Sequence, residues 1–126
     1  CRSTEPQVLM ERLHHPDHPD RKIAKITLNR PKANAMGSVM LQELQDCLAE
    51  LEESSSASSN RCAILTSSSD RVFSAGADLK ERATMTQAEA ADFVTLLRNT
   101  MERVARLPIP TIAAVEGVAV GGGLEI

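Results

Sequence analysis

Two stretches, Phe73-Ser74-Ala75-Gly76-Ala77-Asp78-Leu79-Lys80 and Gly117-Val118-Ala119-Val120-Gly121-Gly122-Gly123-Leu124-Glu125-Ile126, decide how this chain is read. Each places small residues where backbone amides can approach a ligand closely. The second follows its glycines at once with a carboxylate, Glu125, that can move a proton. Leu124-Glu125-Ile126 reads as the first turn of a helix, so the glycines before it leave amides uncovered at a positive helix end.

Outward from these turns the pattern alternates between strand and helix. Val8–Leu13 and Ile23–Leu28 read as strands of a β-hairpin, the second with Ala24, Ile26 and Leu28 on one face. A helix that Ser38 can cap follows, with Leu41, Leu44, Leu48 and Leu51 forming one apolar stripe and Gln42, Glu43, Gln45 and Asp46 outside it. Residues 54–60 form a polar tract expected to be a surface loop. Cys62–Thr66 reads as a buried strand. Thr86-Gln87-Ala88-Glu89 makes a capping box, opening a helix whose Phe93, Leu97, Met101 and Val104 keep helical spacing until Pro108 stops it. Thr111–Val115 is expected to be another buried strand. The alternation predicts an α/β fold.

Composition limits the partners. A formal net charge of -3 spread over 126 residues provides neither a basic stripe for nucleic acid nor a polybasic anchor for anionic lipid. No apolar run approaches the roughly 20 residues that span a bilayer, which predicts a soluble protein. Cys1, Cys47 and Cys62 are odd in number and lack a CxxC pair, fitting neither a disulfide framework nor a zinc site, so a reducing compartment is expected. Opening on Cys1 rather than methionine, the chain reads as a processed product or a fragment. His14, His15 and His18 sit in a proline-broken turn that sets no ligand geometry, so no metal is expected. Cys47, near the edge of the helix stripe, reads as a packed thiol.

Neither glycine turn is decisive alone, since three glycines in a row also occur as a tight turn or packing point. The dinucleotide fingerprint and the phosphate-loop signature are both missing at these turns. Two amides from distant turns converging on one carbonyl oxygen, however, make an oxyanion hole. In the first of these turns the backbone of Ala77 would be accessible. Asp78 reads equally as a turn or capping residue, and Lys80 with Glu81 and Arg82 as a solvated surface.

Four ordered motifs carry a resemblance: Asn29-Arg30-Pro31; Phe73 through Arg82; Pro108-Ile109-Pro110-Thr111-Ile112-Ala113-Ala114; and Gly117 through Glu125. From about Ile23 to Ile126 the chain resembles the enoyl-CoA hydratase/isomerase (crotonase) family. Gly76-Ala77-Asp78-Leu79-Lys80-Glu81-Arg82 makes it most similar to the methylglutaconyl-CoA hydratase type and the mitochondrial enoyl-CoA hydratase domain proteins. The resemblance implies a crotonase-like superhelix of strand-strand-helix repeats, with residues 1–126 as the first half of one such domain. It implies an acyl-CoA thioester as substrate, no separate cofactor, and assembly into homotrimers or homohexamers. Ala77 and Gly122 would hold the thioester oxygen. The backbone of Ala75, Gly76, Ala77, Asp78 and Leu79 would border the adenine and pantetheine, with Lys80 near the phosphates. Glu125 matches the first of two family glutamates, the one that helps activate water, and its partner would lie beyond Ile126.

The implied activity is hydration of a 2-enoyl-CoA in fatty-acid or branched-chain amino-acid breakdown, in a mitochondrial setting. The 126-residue chain by itself is expected to expose apolar strand edges and to have little activity. A non-catalytic CoA-binding or assembly module is the alternative. RNA binding, known for one relative of this type through lysines on its first helix, is disfavoured because Leu41-Gln42-Glu43-Leu44-Gln45-Asp46 carries acids in their place.

Overall fold

The structure, a computed structural model, describes residues 5–54 and 60–126. Cys1 and residues 55–59 of the serine tract lie outside the described residues. Strands β1 (Val8–His14) and β2 (Lys22–Leu28) pair antiparallel as the expected hairpin, in register from Val8 opposite Leu28 to His14 opposite Lys22. Helix α1 (Ser38–Ser54) follows, then β3 (Asn60–Ser67), β4 (Val72–Ser74), the short α2 (Leu79–Arg82) and the long α3 (Gln87–Ala105). The chain then gives β5 (Thr111–Ala113), β6 (Val118–Ala119) and the four-residue α4 (Gly122–Glu125).

Two sheets order these strands. The larger runs β1-β2-β3-β5, parallel from β2 onward, and the smaller pairs β4 with β6, also parallel. The second and third strand-strand-helix turns (β3-β4 and β5-β6) therefore each give one strand to each sheet, as a superhelix of such repeats requires. The first turn contributes to the second layer only through Met36, which bridges Ala77 in parallel.

Burial follows the apolar periodicity. Ala24, Ile26 and Leu28 point from β2 into the core, and Leu41, Leu44, Leu48 and Leu51 meet them from α1, joined by Met36, Met40, Ala63, Leu65 and Phe73. Phe93 and Val104 bury the inner face of α3, while Leu97 and Met101 pack partly against the same core. Thr86 and Glu89 form both halves of the capping box, at 3.2 and 2.8 Å. Thr100 is buried on this face although polar. Its hydroxyl donates to the Leu96 carbonyl at 2.7 Å and accepts from Gln45 at 2.9 Å, so burial leaves it satisfied.

Two expectations need correction. Ser38 is the first residue of α1 rather than its cap; Gly37 supplies the first accepting carbonyl, and the cap is the carboxylate of Glu81, which accepts from the Ser38 amide at 3.1 Å and from its hydroxyl. Glu81 is thus half-buried and structural, not part of a solvated surface. The run Thr111–Val115 is not buried: only Thr111–Ala113 forms a strand, at the edge of the larger sheet, and every residue from Thr111 to Val118 is exposed. An apolar run shows that a strand can be buried, whereas burial itself depends on what packs on its faces.

Candidate active site

The loop from Asn29 to Ala35 is anchored by one buried side chain that the motif reading passed over. Asn34 holds φ near +46°, a conformation Asn tolerates better than most residues. Its Oδ1 accepts from the Arg30 amide at 2.8 Å, and its Nδ2 donates to the Ser67 hydroxyl at 2.7 Å and the Phe73 carbonyl at 3.1 Å. Ser74 returns the connection, its hydroxyl donating to the Asn34 carbonyl at 2.8 Å and accepting from the Gly76 amide at 3.1 Å. The signal available in the sequence was a lone Asn between small residues, which by itself is common in any loop.

This clamp places the turn at Ala75–Asp78. The Met36 amide donates to the Gly76 carbonyl at 2.7 Å, and the Asp78 amide donates to the Met36 carbonyl at 2.9 Å. Both bonds flank Ala77 and leave its own N–H out of the ladder. Asp78 then caps α2, its Oδ1 accepting from the amides of Lys80 and Glu81 at 3.0 and 3.1 Å, while Oδ2 pairs with the Arg30 guanidinium at 2.7 Å. Burial opposes ionisation of this carboxyl, but the Glu81 amide, Arg30 and the Lys80 amide together outweigh it and hold Asp78 below the usual carboxylate range. The capping reading of Asp78 is the one observed.

The second turn packs directly onto the first. Gly76 has φ near +84°, and a Cβ there would stand 2.8 Å from the Gly122 nitrogen and 2.9 Å from the Val120 oxygen, so only glycine fits. Gly123 is buried against Ser74, whose backbone would collide with any side chain at that position. A Cβ at Gly122 would lie 3.7 Å from the Ala77 nitrogen. The amides of Ala77 and Gly122, separated widely in sequence, are therefore neighbours. Among the described residues neither donates a hydrogen bond. In a folded chain nearly all sheltered amides have partners, so an adjacent pair without them is a place for an incoming acceptor. With only four residues, α4 contributes little macrodipole; the amides themselves are the donors.

A cleft of about 370 Å³ opens beside this pair. Ala75, Ala77, Asp78, Leu79 and Lys80 form one wall, and the loop containing Arg30 and Lys32 forms the other. Five of the residues expected to border a ligand are thus together. Gly76 is buried behind the turn, while Gly122 and Glu125 lie outside the cleft on α4, with Glu125 exposed at the helix end. Leu79, 70% exposed, is the apolar residue with the most open surface on this wall. Among the described residues, Lys32 and Lys80 take part in no ion pair, leaving two ammonium groups at the cleft. No group of three or more His, Cys, Asp or Glu able to hold a metal occurs among the described residues.

Fold and site together define an α/β superhelix that presents paired amides from two glycine-containing turns above a lysine-flanked cleft. The family model described as enoyl-CoA hydratase/isomerase matches residues 19–126, and the chain belongs to that family. Human enoyl-CoA hydratase domain-containing protein 2, mitochondrial, is 48% identical over 109 residues, covering 86% of this chain and 36% of the relative. Mouse methylglutaconyl-CoA hydratase, mitochondrial, is 38% identical over 116 residues, 91% of this chain and 36% of the relative. The crystal structure of an enoyl-CoA hydratase from Bacillus anthracis superposes with a TM-score of 0.81 at 39% identity, covering 94% of this chain and 43% of that one. The chain thus spans well under half the length of these relatives.

Proposed function

We propose that this chain supplies the thioester-binding part of an enoyl-CoA hydratase. The observation that carries the reading is the adjacent, unpartnered pair of amides at Ala77 and Gly122. A thioester carbonyl oxygen accepting from both would gain negative charge as water adds to the β carbon. Donors fixed in advance stabilise that charge without reorganising, each at about 2.7–4 kcal/mol in comparable sites. Glu125, three residues beyond Gly122, takes the proton from the attacking water, and a second acid outside this chain delivers one to the α carbon. The cleft between Asp78 and the Arg30–Ala35 loop takes the adenine and pantetheine, with Lys80 and Lys32 facing the phosphates as point charges.

Breakdown of fatty or branched-chain acyl groups, a mitochondrial location and trimeric or hexameric assembly belong to the same reading, which rests for them on the family alone. The 126-residue chain by itself is inactive in this account, because it carries one of the two acids and exposes apolar residues beside the site. The second reading is a CoA-binding module without turnover. It is favoured by the exposure of Glu125, whose carboxylate takes part in no ion pair among the described residues.

The test uses the longest form of the protein that expresses, assayed for hydration of crotonyl-CoA. Glu125→Gln is expected to lower kcat by about a hundredfold or more while substrate affinity is kept. Tight crotonyl-CoA binding with no hydration in an unmutated form that carries both acids would transfer support to the binding module.

A further inference from the structure

The far end of the hairpin carries a second cluster that the hydratase reading leaves unused. Strand β2 runs from Lys22 to Leu28, and Leu28 leads into the Arg30 loop of the cleft; six residues at roughly 3.3 Å each put Lys22 about 20 Å from that site. At the Lys22 end lies a cavity of about 300 Å³ with Leu13 and Ile23 in its apolar lining. Arg21, Lys22 and Arg61 line it with His14 and His15, and among the described residues no carboxylate does. Among the described residues none of these three cations takes part in an ion pair.

The backbone builds this arrangement from three separate pieces. Lys22 pairs with Asn60 and Ile23 with Cys62, so the register shift leaves Arg61 between them without a cross-strand partner. Such a bulge re-aims the side chain it carries. The turn is closed on itself: the His15 amide donates to the Arg21 carbonyl at 3.2 Å, the Arg21 amide to His18 at 2.8 Å and the His18 amide to His15 at 3.3 Å. The Asp17 amide donates to His15 Nδ1 at 3.1 Å, which puts the ring proton of neutral His15 on Nε2 as a donor. Three cations and an imidazole donor around an apolar floor suit an organic anion of high charge density. Bare inorganic ions would use the charges but not the floor.

We propose that this hairpin-end pocket binds a small organic phosphomonoester, with Arg21, Lys22 and Arg61 on the phosphate and Leu13 and Ile23 under the organic group. Two guanidinium forks match phosphate oxygens in a way that scattered lysines do not.

The experiment is a ¹⁵N NMR titration of the full 126-residue chain with phenyl phosphate at constant ionic strength, with inorganic phosphate and a short RNA oligonucleotide as parallel arms. Saturable shifts at the amides of Lys22, Ile23 and Arg61, with the amides of Ala75–Lys80 unmoved, are expected. Phenyl phosphate should bind about tenfold more tightly than inorganic phosphate, Arg61→Gln should weaken it about tenfold, and Arg61→Lys should weaken it less. Arg61 is exposed, so these variants leave the core intact. Where the isolated chain is not monodisperse, calorimetry on the longest form that expresses makes the same comparison. Equal affinity for the two phosphates, no loss in Arg61→Gln, or binding of the RNA alone would overturn the proposal.

Discussion

The α1 side of the molecule and the β5–α4 side are built from equally apolar sequence and end in opposite states. Leu41, Leu44, Leu48 and Leu51 are fully buried, because α1 lies across the sheet formed by β2 and β3. Ile112, Val115, Val118 and Leu124 are each at least half exposed, although β5 and β6 continue the same two sheets in parallel pairing, regular at β5 and shifted between Val72 and Ser74 at β6. Hydrogen bonding in the ladder is therefore enough to place these strands, while burial needs a further layer on top. The paired amides at Ala77 and Gly122 sit where the two regions meet. The first turn is clamped by buried groups and the second rests on an open one.

The contrast is most sharply tested by truncation. Leu44→Ala or Leu48→Ala is expected to cost about 2–5 kcal/mol in urea unfolding, through lost transfer energy and a cavity that cannot collapse. Ile112→Ala should cost no more than about 0.5 kcal/mol. Equal losses at Leu44 and Ile112 would mean that the β5 face is covered in solution and that the contrast is wrong.

The clamp beneath the first turn predicts the next largest effect. Asn34→Ala leaves the Phe73 carbonyl, the Ser67 hydroxyl and the Arg30 amide short of a partner, and is expected to cost about 1–3 kcal/mol by chemical denaturation. Gly123→Ala should cost a comparable amount, about 1–3 kcal/mol, by forcing α4 away from Ser74. Its separate signature is altered amide shifts at Gly122 with the α1 core unchanged. A Gly123→Ala chain with native shifts at Gly122 would show that α4 is not seated on β4.

A smaller effect follows from Asp78. Its folded-state pKa lies below that of the unfolded chain, so its contribution is complete above the unfolded value and is lost as pH falls through the folded one. Stability measured across the acid range should therefore decline less steeply in Asp78→Asn than in the unmutated protein. Parallel declines would remove Asp78 from the account of the turn. The smallest effect is chemical: burial first, then the carboxylates of Glu50, Asp46 and Glu43, raise the Cys47 thiol. Its alkylation by iodoacetamide near pH 8 should be slower than that of a free thiol such as glutathione.

The helical stripes, the hairpin, the capping box and the two small-residue turns were legible in the sequence, because each is a local pattern of period or capping chemistry. Ala77 and Gly122 were legible as a pair only through the family likeness. Nothing local shows that Gly76 must be bare so that Gly122 can approach. The roles of Asn34 and Glu81 were not legible, since both act across long sequence separations on groups that gave no signal of their own: Asn34 on Phe73, Glu81 on the start of α1. The exposure of β5 was misread for the same reason, as an apolar run does not record whether another layer lies over it.

The most direct measurement is a ¹⁵N titration of the protein with crotonyl-CoA, following the amides of Ala77 and Gly122. The account predicts that both shift downfield together along one saturation curve, as two donors to a single carbonyl oxygen must. Movement of one without the other, or of neither while CoA binds elsewhere, would contradict it.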